Sequence, residues 1–290
     1  MTSFRERFAS SATTRIHGRV VLVALIVVAA IGAACSNSAP ARPKWNPPPP
    51  TEQRPAKWGL SWSDEFNGTT LDASNWIAND GAANVNNELE YYTPTDVYLE
   101  GGSLVLRSQQ RNLGGRQYTS GEVRSGTKRT VSVGSAVEWR TQIPSGKGIW
   151  PANWLVNTPC DGLGGCGGSW PPEIDVLEVK GSDPATNVMT HWWGSYPGQQ
   201  HETSTWTSAA SLAADYHTYR LEWYRDSIIW YVDGVARAKH TANITGGTLQ
   251  LVMNTAVGGQ FDGNPDATTV FPQYHRIDYV RVYRDTANTY

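Results

Sequence analysis

Three acidic side chains stand within six residues in the segment Trp170-Pro171-Pro172-Glu173-Ile174-Asp175-Val176-Leu177-Glu178, interleaved with aliphatic residues that suit a buried strand face. Acids this close repel one another, so the group is a solvated acidic strand, a calcium site, or a device for chemistry. A solvated charge run would not alternate with Ile174, Val176 and Leu177. On a regular strand, positions 173, 175 and 177 share a face and position 178 points the other way. One inserted residue, a β-bulge at Leu177 or its neighbour, resets the alternation and brings Glu173, Asp175 and Glu178 onto one face. Two carboxyl groups about 5–5.5 Å apart are what cleavage of a glycosidic bond with retention of configuration requires, one attacking the anomeric carbon and one protonating the leaving oxygen. The acid between them, Asp175, is expected to hydrogen-bond the attacking carboxylate and to hold charge, so that one glutamate stays ionised while the other keeps a raised pKa.

The elements that must position these acids read as strands. From Trp58 to Tyr283 no stretch sustains a 3.6-residue apolar period, whereas short alternating runs recur with turn signals between them. Examples are residues 103–106, 135–139, 219–223, 228–232 and 249–253, and Asp233-Gly234 closes the fourth of these as a tight hairpin. The chain has 13 Trp, 13 Tyr and 28 Gly against 3 Met, a mixture that fits strands joined by Gly-rich turns. Many short strands over one stretch without alternating helices predict an all-β sandwich of the jelly-roll kind. Indole faces also suit the apolar CH face of a sugar ring, although core packing accounts for most Trp residues.

Charge excludes one class of partner. The 24 Lys+Arg and 26 Asp+Glu nearly cancel, so no counterion-release drive toward nucleic acid exists. No HExxH, P-loop or Gly-rich dinucleotide fingerprint occurs, which removes metalloprotease, nucleotide-dependent and redox classes.

Outside the core domain, residues 1–35 have the order of a secretory signal, with Arg5, Arg7, Arg15 and Arg19 ahead of the apolar run Val20–Ala34. That run is shorter than the roughly 20 residues a spanning helix needs. The export expectation is an extracellular protein, or one held at the cell surface by a lipid. Residues 36–57 form a Pro-rich spacer suited to polyproline II, and the domain is expected over 58–290. Cys160 and Cys166 lie in the Gly-dense loop TPCDGLGGCGGS, where an oxidising compartment favours a disulfide. No His lies close enough in sequence to make this a zinc site.

The bulged Glu-x-Asp-x-x-Glu strand resembles the active-site strand of glycoside hydrolase family 16. So do WSDEFNGTTLDASNW (62–76), NNELEYYT (86–93), GIWPANWL (148–155), DYHTYRLEW (215–223), NTAVGG (254–259) and RIDYVRVY (276–283), in family order. The resemblance implies a concanavalin A-like jelly roll with the catalytic cleft on its concave sheet. It implies Glu173 as nucleophile, Asp175 as assistant and Glu178 as acid/base. NNELEYYT, GIWPANW, the bulge and NTAVGG are most similar to laminarinases, endo-1,3-β-glucanases, and the expected partner is a polysaccharide met by a monomer. The resemblance further implies sugar contacts from Asn86, Glu88, Trp150, Trp154, His191, Trp192 and Asn254, and strand alternation turns Trp193 inward if Trp192 faces the sugar. No cofactor is expected for catalysis, and a structural calcium ion is expected at Glu65 and Asp278. The ending Gly32-Ala33-Ala34-Cys35 is similar to a bacterial lipoprotein box, with Gly32 a departure from it. Membrane attachment through a lipid on Cys35 and ordinary cleavage after a small-residue triplet both remain open. Where laminarinases commonly carry an aromatic directly after AVGG, this chain has Gln260-Phe261. A galactan such as agar or carrageenan as substrate, transglycosylation in place of hydrolysis, and a non-catalytic carbohydrate-binding protein on the same scaffold are the competing expectations.

Overall fold

The runs of alternating residues fold as strands in a computed structural model that describes residues 58–166 and 168–287. The expected signal, Cys35 and the Pro-rich spacer all lie outside the described residues. In chain order the strands are β1 (Trp58–Asp64), β2 (Ile77–Ala78), β3 (Gly81–Ala82), β4 (Glu90–Tyr92), β5 (Val97–Glu100), β6 (Ser103–Ser108), β7 (Tyr118–Ser120), β8 (Glu122–Arg124), β9 (Thr130–Ser132) and β10 (Ser135–Gln142). They continue with β11 (Ile149–Asn157), β12 (Glu173–Glu178), β13 (Thr186–Trp193), β14 (Gln200–Thr207), β15 (His217–Trp223), β16 (Ile228–Val232), β17 (Val235–His240), β18 (Thr248–Val257) and β19 (Gln273–Asp285). The helical element among the described residues is a single 3-10 turn, Pro94–Asp96.

Two antiparallel sheets form a jelly-roll sandwich. One runs β17-β16-β15-β10-β19-β6-β5 with β1 also on β19, and the other runs β14-β13-β12-β11-β18-β8-β2 with β9 also on β18. Strands β3, β4 and β7 make a small third sheet, in which β4 and β7 are parallel. One apolar cluster joins the two large sheets, with Trp139, Tyr219, Leu221 and Trp230 from the first meeting Ile174, Val176, Leu177 and Met189 from the second. Fully burying one such aliphatic side chain is worth about 1.5–3 kcal/mol, so period-two patterning alone commits each strand to one orientation. The hairpin of β16 and β17 forms as expected. Val232 pairs with Val235 across a two-residue turn whose Asp233 and Gly234 have φ of 51° and 74°, the left-handed values a type I′ turn needs.

The bulge lies where the acids require it. Along the β11–β12 pair, Asn153 faces Leu177 and the next residue, Trp154, faces Asp175, so Val176 is the extra residue. Val176 and Leu177 both enter the core. Glu173, Asp175 and Glu178 therefore share the opposite face, which is the outer face of the β12 sheet. From the core side, the Trp230 indole N–H donates to the Asp175 carbonyl at 2.8 Å and ties the two sheets together beneath the acids.

Candidate active site

Each of the three acids on β12 accepts a hydrogen bond from a different indole. Trp170 Nε1 donates to Glu173 Oε2 at 2.9 Å, Trp192 Nε1 to Asp175 Oδ2 at 3.3 Å, and Trp150 Nε1 to Glu178 Oε1 at 3.0 Å. The register explains two of these contacts. Trp192 stands opposite Glu173 on β13, and β11 places Trp150, Ala152 and Trp154 on the acid face, Ala152 opposite Glu178 and Trp154 opposite Asp175. An alanine at 152 leaves room beside the Glu178 carboxyl.

Burial raises the pKa of all three acids. Glu173 is pushed well up by desolvation first and by the Asp175 charge second, against the pull of the Trp170 N–H. Glu178 is pushed well up by desolvation and then by Asp175, with the Trp150 N–H opposing and the more distant Glu88 adding to the rise. Asp175 is raised to about 7 by desolvation, and the Trp192 N–H opposes that. The three titrate as one system in which full ionisation is disfavoured, so the cluster holds protons near neutral pH. The expected hydrogen bond from Asp175 to the attacking glutamate is replaced by its bond to Trp192, and Asp175 acts on both glutamates through its charge.

The remaining expected sugar contacts divide. Asn254 is on the acid face, opposite Ala152, with its amide committed to Trp154 Nε1 at 2.9 Å and to the Tyr92 hydroxyl at 2.9 Å. Trp154 is partly buried against Val156, Val252 and Cys160. Trp150 is partly exposed and stacks on Phe261, ring centroids 4.8 Å apart, while Lys180 Nζ lies 5.1 Å from the Phe261 ring. Asn86 is exposed and donates to the buried Glu88 at 2.9 Å. Trp192 is partly exposed beside Trp170 and His201.

His191 does not reach the acid face. It is 0% exposed, pairs with the core residue Ile174 and stacks on Trp193, so strand alternation sends both rings inward while Trp192 faces out. Its Nδ1 meets His240 Nδ1 at 2.8 Å, and burial lowers the pKa of both rings. Glu202 has a donor atom within 4.8 Å of this pair, but the two Nδ1 atoms are spent on each other.

The calcium expectation also meets a different arrangement. Arg281 holds Glu65 through two bonds of 2.9 and 2.8 Å, and Arg140 holds Asp278 at 2.9 Å. Two guanidinium groups already neutralise these acids, and a divalent cation beside them would be repelled, so the residues present do not fit a calcium site. The Cys160–Cys166 disulfide is formed, with S–S 2.08 Å.

Trp170, the partner of Glu173, carries no local mark of that role in the sequence. It lies in the irregular segment before Pro171-Pro172 and β12, where strand alternation says nothing. Nor does the sequence mark Glu90 and Glu122, fully buried acids near Glu88 whose pKa values burial pushes well up. Gly162 of the disulfide loop closes on Glu122, and the Val257 N–H of β18 donates to Glu90 at 2.8 Å, both contacts from distant sequence.

Residues 76–281 match the family described as glycosyl hydrolases family 16. The chain belongs to this family. It is 34% identical over 274 residues to glucan endo-1,3-beta-glucosidase A1 of Niallia circulans, an alignment covering 81% of this chain and 39% of that protein. It is 32% identical over 257 residues to a beta-glucanase of Rhodothermus marinus, covering 78% of this chain and 85% of that protein. Among solved structures, the endo-beta-1,3-glucanase of Pyrococcus furiosus superposes with a TM-score of 0.69 at 32% identity, covering 78% of this chain and 94% of that one. This chain thus spans well under half the length of the Niallia circulans protein.

Proposed function

We propose that this chain hydrolyses β-1,3-linked glucan within the polymer and with retention of anomeric configuration. The observation that carries the reading is the shared face of Glu173, Asp175 and Glu178 across the Val176 bulge, each acid accepting an indole N–H. Similarity to the 1,3-glucanases of Niallia circulans and Pyrococcus furiosus supports the glucan assignment.

In this reading the cluster cannot ionise fully, so one of the two glutamates keeps a proton; the family resemblance of the strand assigns that proton to Glu178 and the carboxylate to Glu173. Glu173 attacks the anomeric carbon as a carboxylate, stabilised by the Trp170 N–H, while Glu178 gives its proton to the leaving glycosidic oxygen. Glu178, now ionised and stabilised by the Trp150 N–H, takes a proton from water, which displaces Glu173 and restores both groups. Asp175 opposes simultaneous ionisation of the two glutamates and keeps one proton in the site. No step calls for a metal or an organic cofactor.

We further propose that the chain acts outside the cytoplasm as a single catalytic unit. The basic-then-apolar order of residues 1–35 and the disulfide support export, and Cys35 offers a lipid attachment point. Reducing-sugar release from laminarin by wild type and Glu173→Gln tests the activity. The variant is expected to lose at least about a thousandfold, ~4 kcal/mol of transition-state stabilisation. Equal rates would exclude Glu173 as nucleophile.

A further inference from the structure

The cleft face of the β12 sheet is open on one side of the acids and roofed on the other. Across β11 the register continues the acid rows onto β18 and β8, where Asn254, Val252 and Gln250 stand opposite Ala152, Trp154 and Val156, and Glu122 stands opposite Asn254. A polysaccharide lying across the strands would run over these side chains. Yet Val252 and Gln250 are 0% exposed and Glu122 is 1% exposed, although all three lie on the sheet face turned away from the sandwich core.

The roof is the disulfide-closed loop. Cys160 packs on Val156 and Val252, and its carbonyl accepts Gln250 Nε2 at 2.6 Å. The Asp161 carbonyl accepts Asn79 Nδ2 at 2.6 Å, and Gly162 presses so closely on Glu122 that a Cβ there would collide with the carboxylate. Further along, the Leu163 carbonyl accepts the Asn84 N–H at 3.2 Å, and its side chain closes on Gly81. The loop is also stiffened from within, because Asp161 Oδ1 accepts the N–H groups of Leu163 and Gly165, both at 2.8 Å. On the β13–β14 side the face stays open, and aromatic rings step outward from Trp192 and Trp170 to Tyr196, which is 66% exposed.

We infer that the Cys160–Cys166 loop is a wall that truncates the glycan cleft on its β18–β8 side, so that sugars are bound on the sheet mainly along the β13–β14 side. The inference rests on the functional reading above and adds to it an asymmetry of subsites. On the walled side a chain must lift off the sheet within the first sugar units past the scissile bond and gains no further contact. On the open side each added unit meets ring faces or polar strand residues.

The test is the initial cleavage pattern on end-labelled β-1,3-gluco-oligosaccharides of increasing length. Wild type is expected to cut at one dominant frame, a fixed small number of units from one terminus, with kcat/KM rising only as the other terminus is extended. Two variants loosen the wall without touching the acids: Cys160→Ser with Cys166→Ser, and Leu163→Ala, which keeps the disulfide should the double variant fail to fold. In a folded variant the disfavoured frames are expected to gain about tenfold, equivalent to ~1.4 kcal/mol for one recovered sugar contact. An even spread of frames in wild type would overturn the inference, as would an unchanged pattern in a loosened variant with native circular dichroism. No cleavage of any length would remove the functional reading and this inference with it, whereas cleavage with symmetric frames removes this inference alone.

Discussion

Replacing Trp150 with Phe tests how the acid/base glutamate is tuned. The indole N–H reaches Glu178 Oε1 at 3.0 Å and favours the carboxylate, so it lowers a pKa that burial and Asp175 raise. A hydrogen bond to a charged group is worth about 1.5–3 kcal/mol, and the low end applies here because the glutamate is partly exposed. At 1.36 kcal/mol per pKa unit, loss of the bond raises the Glu178 pKa by about one unit. The first step needs Glu178 protonated, so the alkaline limb of kcat/KM moves to higher pH by that amount. The second step needs Glu178 as a base, so its carboxylate is scarcer at neutral pH and hydrolysis of the intermediate slows. Phe retains a ring to stack on Phe261, and Phe261→Leu serves as the control that loosens the stack while keeping the N–H. The assay is kcat/KM on laminarin across about pH 4–10, a span that starts near the ordinary glutamate value and extends well above it. An alkaline limb that stays put or moves to lower pH in Trp150→Phe would refute the assignment of Glu178 as the acid.

Other outcomes follow from the same geometry. Asp175→Asn removes the charge that raises both glutamates, so the alkaline limb should move to lower pH and kcat should fall by about 100-fold, the low end of what positioned acid–base groups contribute, read from the same pH profiles. Glu90 has a folded-state pKa raised above its unfolded value, so its ionisation costs stability progressively as pH rises from the unfolded value through the folded one. In Glu90→Gln the fall of Tm with rising pH above about 5 should therefore flatten, as followed by thermal unfolding in a pH series. Because Arg281 and Arg140 hold Glu65 and Asp278, Tm should be the same in EDTA and in millimolar calcium, and a calcium-dependent rise would contradict that pairing.

Much of the site was legible because strand alternation is local. The interleaving of Ile174, Val176 and Leu177 with three acids allows only a bulged strand to bury the former and expose the latter, and Val176 is the residue displaced. The same alternation correctly turned Trp193 inward, yet applying it to His191 would have turned that ring inward as well, since 191 and 193 share a face. Contacts made between distant segments were not legible. Glu65 and Arg281 are 216 residues apart, and nothing near either signals that a guanidinium satisfies the acid. The Gly-dense loop predicted its own disulfide, but not that Gly162 would close over Glu122 on β8. That placement depends on which sheet face the loop folds across, a tertiary choice without a local sequence signal. Trp170 belongs to the same class, because its segment reaches Glu173 by a path that no strand period describes.

The most direct test of the central claim is the anomeric configuration of the first product, followed by proton NMR during early hydrolysis of laminarin. Two glutamates on one face of β12, one attacking and one protonating, predict that the β-anomer appears first and mutarotates afterwards to the equilibrium mixture. Initial release of the α-anomer would contradict the account, since it would mean a water attacking directly and Glu173 not forming a bond to the sugar.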